Sequence, residues 1–352
     1  MMEQTDLLVI GAGPCGLAAG IAAKQAGLSC VLLDRRTIVS TIERYPLAMT
    51  FFSPPERIEI GSVPFIASHE KPTRQDGLIY YRRVAEHYGL DIRPGEDVVD
   101  VALSLPEATG AGRFRVEVTR RHDSKTYHAG AVIFATGYYD NPNYLHVPGE
   151  DLPHVTHYFV EGHPYWHQRV IVIGAGNSSV DAALECWRAG ATVTLVHFGE
   201  GFDRTVKAWV LPDIVNRVKE GSIAVRWRSR VRAITPTHAE VVSDATTAVE
   251  LMPADAVLAM TGYHADTSLL HRLGVPVDAV TGVPAHGVAT MVTPVPGCYL
   301  AGVIASGNDA NRLFIENARG HGKLIVGHLL QTRAVTGSTS SQSAGPTVAS
   351  SR

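Results

Sequence analysis

Gly11-Ala12-Gly13-Pro14-Cys15-Gly16 places three glycines at the spacing G-x-G-x-x-G. Between a strand and a helix, the first permits a tight turn. The second lets the backbone approach a pyrophosphate, and the third lets the helix pack on the strand. Asp34 closes the next apolar run, where a carboxylate binds a ribose 2′-hydroxyl. A related run, Gly174-Ala175-Gly176-Asn177-Ser178-Ser179, has Ser in place of the third glycine, which predicts slightly looser helix–strand packing. The strand after it ends in His197, with no acid there. A carboxylate would repel a 2′-phosphate, whereas His197, Arg204 and Lys207 favour one, so the second site is read as binding NADPH rather than NADH. Either cation taken alone reads almost equally well as an ordinary solvated charge.

These turns need elements to hold them. Residues 6–10 read as a short buried strand, 16–26 as a small-residue helix and 29–33 as the next strand. Such a unit forces a parallel sheet. The pattern recurs as strand 169–173, helix 178–189 and strand 191–196. Two such units predict an α/β chain with two Rossmann-like, doubly wound domains. Further strands are expected at 114–118, 131–135, 256–259 and 298–301, and a helix from about Asn311 to Leu330. Ala135-Thr136-Gly137 closes one strand, and Thr261-Gly262 follows another in the same way. The expected division is 1–145 for the first part of an FAD-binding domain and 146–288 for an inserted NADPH-binding domain. Residues 289–334 complete the FAD-binding domain, and 335–352 form a disordered tail. The Pro- and His-rich stretch 141–167 serves as a hinge. An N-terminal site followed by an inserted second one is the order of two-dinucleotide flavoproteins, so the first site is assigned the ADP half of FAD.

With 352 residues, 45% of them hydrophobic, the chain can build two cores. A net charge of -3 provides no basic field for nucleic acid or anionic lipid. The first apolar run is too short for a signal peptide or a membrane span, so a cytoplasmic protein is expected. His154, His157, His163 and His167 invite a metal reading, but Pro153 and Pro164 break any helix that would align them, and no metal is expected.

Cys15, Cys30, Cys186 and Cys298 form no C-x-x-C pair. Cys15 stands at a helix start, where N–H groups and the helix dipole favour a thiolate able to attack a disulfide. A bound pyrophosphate would offset that effect, and Cys is also simply a small residue that fits the turn. The other three read as core.

From Gly11–Gly16 onward the chain resembles the YpdA-type flavoproteins, a bacillithiol disulfide reductase family that is thioredoxin-reductase-like in fold but lacks the dithiol. Met49-Thr50-Phe51-Phe52-Ser53, Ile58-Glu59-Ile60-Gly61, His163-Pro164-Tyr165-Trp166, Lys207-Ala208-Trp209-Val210-Leu211-Pro212 and Phe314-Ile315-Glu316-Asn317 carry the resemblance, which spans about residues 6–330. It implies FAD at the first site, NADPH at the second, Cys15 as the redox residue, and residues 50–53 and the Glu316–Asn317 helix near the flavin. Ala318 stands where the family tends to have Gly, and His197 where a more basic residue is common. The Gly-Asp pair that meets the ribitol in thioredoxin reductases is missing, since Val303 follows Gly302; Asp309 is the substitute. The expected cofactor-binding set is Gly11, Gly13, Pro14, Cys15, Gly16, Asp34, Arg35, Phe52, Val98, Thr136, Gly137, Gly174, Gly176, Asn177, Ser178, Ser179, His197, Arg204, Lys207, Gly302 and Asp309.

The resulting expectation is an NADPH-dependent flavin reductase of a small-molecule disulfide, bacillithiol disulfide, working as a homo-oligomer. A helix N-terminus near Asn311 would stabilise negative charge on the reduced cofactor. Three other functions compete. A flavin monooxygenase would carry F-x-G-x-x-x-H before the second site, and Phe159-Val160-Glu161-Gly162 has the wrong spacing. A ferredoxin- or flavodoxin-NADP reductase would need a basic docking face. A redox-sensing NADPH-binding protein would show no turnover.

Overall fold

Leu7-Leu8-Val9-Ile10 is an unbroken apolar run, and such a strand is stable only with both faces covered. In a computed structural model, which describes residues 3–104, 112–246, 248–309 and 312–340, this run ends β1 (Glu3–Ile10) at the centre of a seven-stranded sheet. The neighbours of β1 are β2 (Cys30–Asp34), which continues to β3 (Asp91–Pro94), and β6 (Asp123–Phe134), all parallel. The first half of β6 also pairs antiparallel with β5 (Phe114–Arg120), which pairs with β4 (Asp97–Leu103). Its last residues pair with β15 (Cys298–Leu300), so a strand from the far end of the chain completes the first sheet.

Small residues let helices approach this sheet. Helix α1 (Pro14–Gln25) buries Gly16, Ala18, Ala19, Gly20, Ala22 and Ala23. A β-carbon on Gly322 would come within 2.5 Å of the Ala19 backbone, so α9 (His321–Ser340) can cross α1 only with glycine there. Between them in sequence, α2 (Ser40–Glu43), α3 (Pro55–Ile58) and α4 (Arg74–Tyr88) cover the remaining edge. The start of α4 is fixed by a reciprocal Thr73–Asp76 capping box and its end by Gly89.

The second unit has a parallel sheet in the order β10 (Ile223–Arg226), β9 (Thr192–Val196), β8 (Arg169–Ile173), β14 (Ala256–Ala259) and β7 (Val155–Thr156). Alternation along these strands separates two cores. Val170, Val172, Val193, Leu195 and Leu258 pack with residues of α5 (Asn177–Arg188) and α6 (Leu211–Lys219). Ile171, Ile173, Val196 and Val257 pack on an antiparallel meander, β11 (Ser229–Ile234), β12 (His238–Ser243) and β13 (Val249–Pro253).

Two expectations change. Ala265, Leu270, Leu273 and Val275 pack in the first core, around α7 (Ser268–Arg272), and Arg272 Nη2 donates to Val99 O at 2.8 Å. We therefore place the return to the first unit near residue 264 rather than 289. The expected helix 311–330 is two helices, α8 (Ile315–Ala318) and α9, separated at Arg319–Gly320. Asn311 lies outside the described residues, and the helix turn expected there starts at Ile315. Helix α9 continues through Ser340 into the segment read as tail; 341–352 lie outside the described residues. No helix among the described residues is long and apolar enough to cross a membrane.

The α1–α9 crossing yields a direct check. Gly322→Val forces a branched side chain onto backbone, and urea unfolding should show about 1–3 kcal/mol of lost stability. An unchanged midpoint would mean the helices do not meet at Gly322.

Candidate functional site

Gly11 has φ 109°, and a β-carbon there would strike Ala135 O on the end of β6. Gly174, with φ 128°, stands in the same relation to Met260 O, at 2.5 Å. Each glycine turn is thus pressed against the strand that ends in Thr-Gly, at Thr136-Gly137 and Thr261-Gly262. Gly16 is required by contact with Gly11 O. Its counterpart Ser179 is fully buried, and its hydroxyl donates back to Gly176 O at 2.8 Å, so a serine is accommodated with its polar atom satisfied. A β-carbon on Gly13 or Gly176 would meet nothing within 4 Å. These glycines leave open space in front of α1 and α5 rather than relieving an internal clash.

That space is one continuous cavity of about 1650 Å³. Every residue of the expected set lines it except Gly16 and Ser179, the two that pack helix against strand. At the first end, Asp34 is pinned: Oδ2 accepts from Ala12 N and Oδ1 from Arg36 N, each at 2.9 Å. Burial, the larger influence, still raises its carboxyl above the ordinary range. Arg35 Nη2 donates to Asp140 Oδ2 at 2.5 Å. Thr136 Oγ1 is buried and has no hydrogen-bond partner among the described residues. An orphaned hydroxyl, open space at Gly13 and an uncapped α1 together fit a bound dinucleotide diphosphate.

Cys15 is on the same wall. A β-carbon on Gly302 would lie 3.1 Å from Cys15 Sγ, so the two residues are packed together, and Gly302 N donates to His321 Nδ1 at 3.2 Å. Burial pushes the Cys15 thiol up to about 12, the reverse of the thiolate expected from the helix start. Burial of the sulfur disfavours the charged form. The other cysteines are likewise raised to about 12, chiefly by burial.

The Glu316–Asn317 motif is structural in its contacts. Ser53 Oγ and Arg57 Nη1 donate to Glu316 at 2.6 and 2.5 Å, tying α8 to the 50–53 segment and α3. Asn317 Oδ1 accepts from Phe314 N at 2.7 Å. Phe52, 56% exposed, meets Trp209 from the second unit with ring centroids 5.2 Å apart. The Thr-Phe-Phe-Ser and Lys-Ala-Trp motifs therefore touch. Asp309 and Val98 lie on the lining.

At the second end, Asn177 Oδ1 accepts from Lys207 N and Asn177 Nδ2 donates to Thr205 O, both at 2.9 Å, fastening the 203–207 loop over α5. Lys207 Nζ donates to Asp181 Oδ2 at 2.8 Å, so this cation already has a carboxylate. Arg204 is exposed on the lining. Three of the histidines in the 141–167 stretch have separate surroundings. His157 Nε2 lies 3.2 Å from Glu150 Oε1, His163 opens a 3-10 turn and His167 stands against Trp166.

Sequence reading missed a tyrosine cluster between the two ends. Tyr139 packs on Tyr45, Tyr158 and Tyr263, and Arg44 lies over Tyr139 and Tyr158 while pairing with Asp140. The two Thr-Gly-Tyr repeats, at 136–138 and 261–263, were the available signal.

A family model described as pyridine nucleotide-disulphide oxidoreductase matches residues 8–302. The chain is similar to the bacilliredoxin reductase Bdr of Bacillus subtilis (strain 168), 42% identical over 328 residues, 93% of this chain and 98% of that protein. It is similar in structure to the bacillithiol disulfide reductase Bdr (YpdA) from Bacillus cereus, with TM-score 0.90 and 41% identity, covering 94% of this chain and 100% of that one. The T. acidophilum thioredoxin reductase, at TM-score 0.70 and 23% identity over 94% of this chain and 99% of that one, shares the fold. The architecture is thus the thioredoxin-reductase-like pairing of two Rossmann-like domains.

The enclosed thiol makes a measurable claim. At pH 8, iodoacetamide should alkylate Cys15 in the oxidised holoenzyme at least about 100-fold more slowly than glutathione, because the thiolate is scarce. Peptide mapping that found Cys15 labelled at the free-thiol rate would show the sulfur to be open and ionised.

Proposed function

This chain belongs to the pyridine nucleotide-disulphide oxidoreductase family, and from that we infer that the disulfide it reduces is bacillithiol disulfide, with Cys15 as the residue that exchanges with it. The chain is a flavin disulfide reductase that uses FAD and NADPH. Bound FAD supplies the two-electron relay between a nicotinamide donor and a disulfide acceptor. Gly11, Gly13, Pro14, Asp34, Arg35, Phe52, Val98, Thr136, Gly137, Gly302 and Asp309 are assigned to holding FAD. Gly174, Gly176, Asn177, Ser178, His197, Arg204 and Lys207 are assigned to NADPH, while Gly16 and Ser179 seat the two helices behind them.

One observation carries the reading: Cys15 lines the same cavity as both glycine turns and is packed against Gly302. The remaining cysteines begin a strand or are buried in the cores. In the exchange, a Cys15 thiolate attacks one sulfur of the acceptor and the acceptor's S–S bond breaks. One thiolate leaves and takes a proton, and a mixed disulfide stays on Cys15. Overall, one disulfide, NADPH and one proton give two thiols and NADP⁺. With burial raising the Cys15 thiol, the thiol must lose its proton before it can act, so the exchange accelerates as pH rises.

A second acceptor has its own support. The Bacillus subtilis relative is a bacilliredoxin reductase, and Phe52, on the cavity lining, and its neighbour Trp209 present half-exposed rings that a protein acceptor could meet. The function proposed here is cytoplasmic.

The test is NADPH oxidation, without oxygen, in the presence of bacillithiol disulfide, an oxidised bacilliredoxin or ferredoxin. Wild type should turn over with bacillithiol disulfide. Cys15→Ala should lower that rate at least about 100-fold while flavin bleaching by NADPH stays within about twofold. Turnover with the bacilliredoxin alone would move the substrate to the protein. An undiminished Cys15→Ala rate would make Cys15 a packing residue.

A further inference from the structure

The two glycine turns are built alike, and the likeness locates a difference. Gly11 N donates to Leu33 O at 2.7 Å, and Gly174 N donates to Val196 O at 3.0 Å. One residue further on, Asp34 and His197 therefore occupy equivalent places. Asp34 offers a ribose a carboxylate; His197 offers an imidazole, and burial with nearby Arg230 lowers its affinity for a proton against the pull of Asp203. His197 can hydrogen-bond a phosphate but brings no full charge at neutral pH. Lys207 is already neutralised by Asp181, with its side chain only 12% exposed. A 2′-phosphate would be left with Arg204 unless another element contributed.

The meander does. His197 N donates to Arg226 O and Ser229 N donates to His197 O, both at 3.0 Å, so the β10–β11 turn is stitched to the end of β9. The next residue, Arg230, reaches the cavity lining, and its guanidinium carbon lies 5.4 Å from the centroid of the Phe198 ring. Asp244 takes Nη1 alone, with both carboxylate oxygens at 2.6 Å, and leaves Nε and Nη2 outside that pair. Its carboxylate, like that of Asp203, is the opposing charge an incoming phosphate must meet. Asp203 Oδ1 is itself occupied by Thr205 N and Oγ1, at 2.8 Å each. A planar guanidinium is a donor well suited to a phosphate.

We propose that Arg230, supplied by β11 and oriented by Phe198 and Asp244, recognises the 2′-phosphate of NADPH together with Arg204. This rests on the NADPH reading above and names the residue that would give it specificity. Arg230 thus adds to the one arginine, Arg204, on the loop after β9, whose first residues, Phe198-Gly199-Glu200, bring no cation, since Glu200 is paired with Arg228.

Binding of two flavin-independent probes to the FAD-loaded protein, 2′,5′-ADP and 5′-AMP, by titration calorimetry separates the possibilities. Wild type should bind 2′,5′-ADP at least about tenfold more tightly than 5′-AMP. Arg230→Gln should weaken 2′,5′-ADP by about 10- to 100-fold and leave 5′-AMP unchanged, with Arg230→Lys intermediate. Undiminished 2′,5′-ADP binding by Arg230→Gln, with wild-type discrimination intact, would overturn the role of Arg230 while the NADPH reading stands. Equal loss of both probes would make Arg230 a structural residue and also overturn it. A wild-type protein that does not distinguish the probes would overturn the NADPH reading itself.

Discussion

Both halves of the cavity depend on a close approach between backbones. Gly11 lies against Ala135 O, and Gly174 against Met260 O, with no room for a β-carbon at either place. That approach sets each glycine turn beside the Thr-Gly turn of the neighbouring strand. It also aims the start of α1 or α5 into open space. Parallel pairing of β1 with β6 and of β8 with β14 brings the strand ends to the same level. The cavity is therefore a consequence of sheet register, and the polar groups on it are placed by main chain rather than by flexible side chains.

On this shared frame the two ends differ by what stands at one position. A pinned carboxylate at Asp34 suits hydroxyl donors. His197, with arginine nearby, suits an anion. Between them, Cys15 occupies the second position of α1, where a dinucleotide diphosphate and the reacting thiol would share one helix turn. The helix favours negative charge there, and burial of the sulfur disfavours it.

Local signals made the frame legible. The glycine turns, the strands 169–173 and 256–259 and the terminal acid were readable because each is set within a few residues. What escaped was set at long range. The tyrosine cluster gathers residues 45, 139, 158 and 263 through the folding of both units. Arg230 reaches the second site only because the β10–β11 turn bonds to His197. Lys207 looked available because Asp181, on α5, is distant in sequence but only 2.8 Å away in space. The return of the chain near residue 264 was hidden because α7, at five residues, carries too little periodicity to show which core it joins. The start of α4 is an exception, since the Thr73–Asp76 box and Gly89 are local signals that could have been read.

The central claim is that the acceptor disulfide is opened by Cys15 inside the cavity shared by the two dinucleotide sites. The most direct measurement is peptide mass mapping of enzyme quenched with acid during turnover with NADPH and bacillithiol disulfide. The account predicts a bacillithiol adduct on the peptide containing Cys15, removed by reductant and lost in Cys15→Ala. An adduct confined to Cys30, Cys186 or Cys298, or continued turnover with Cys15 never modified, would contradict it.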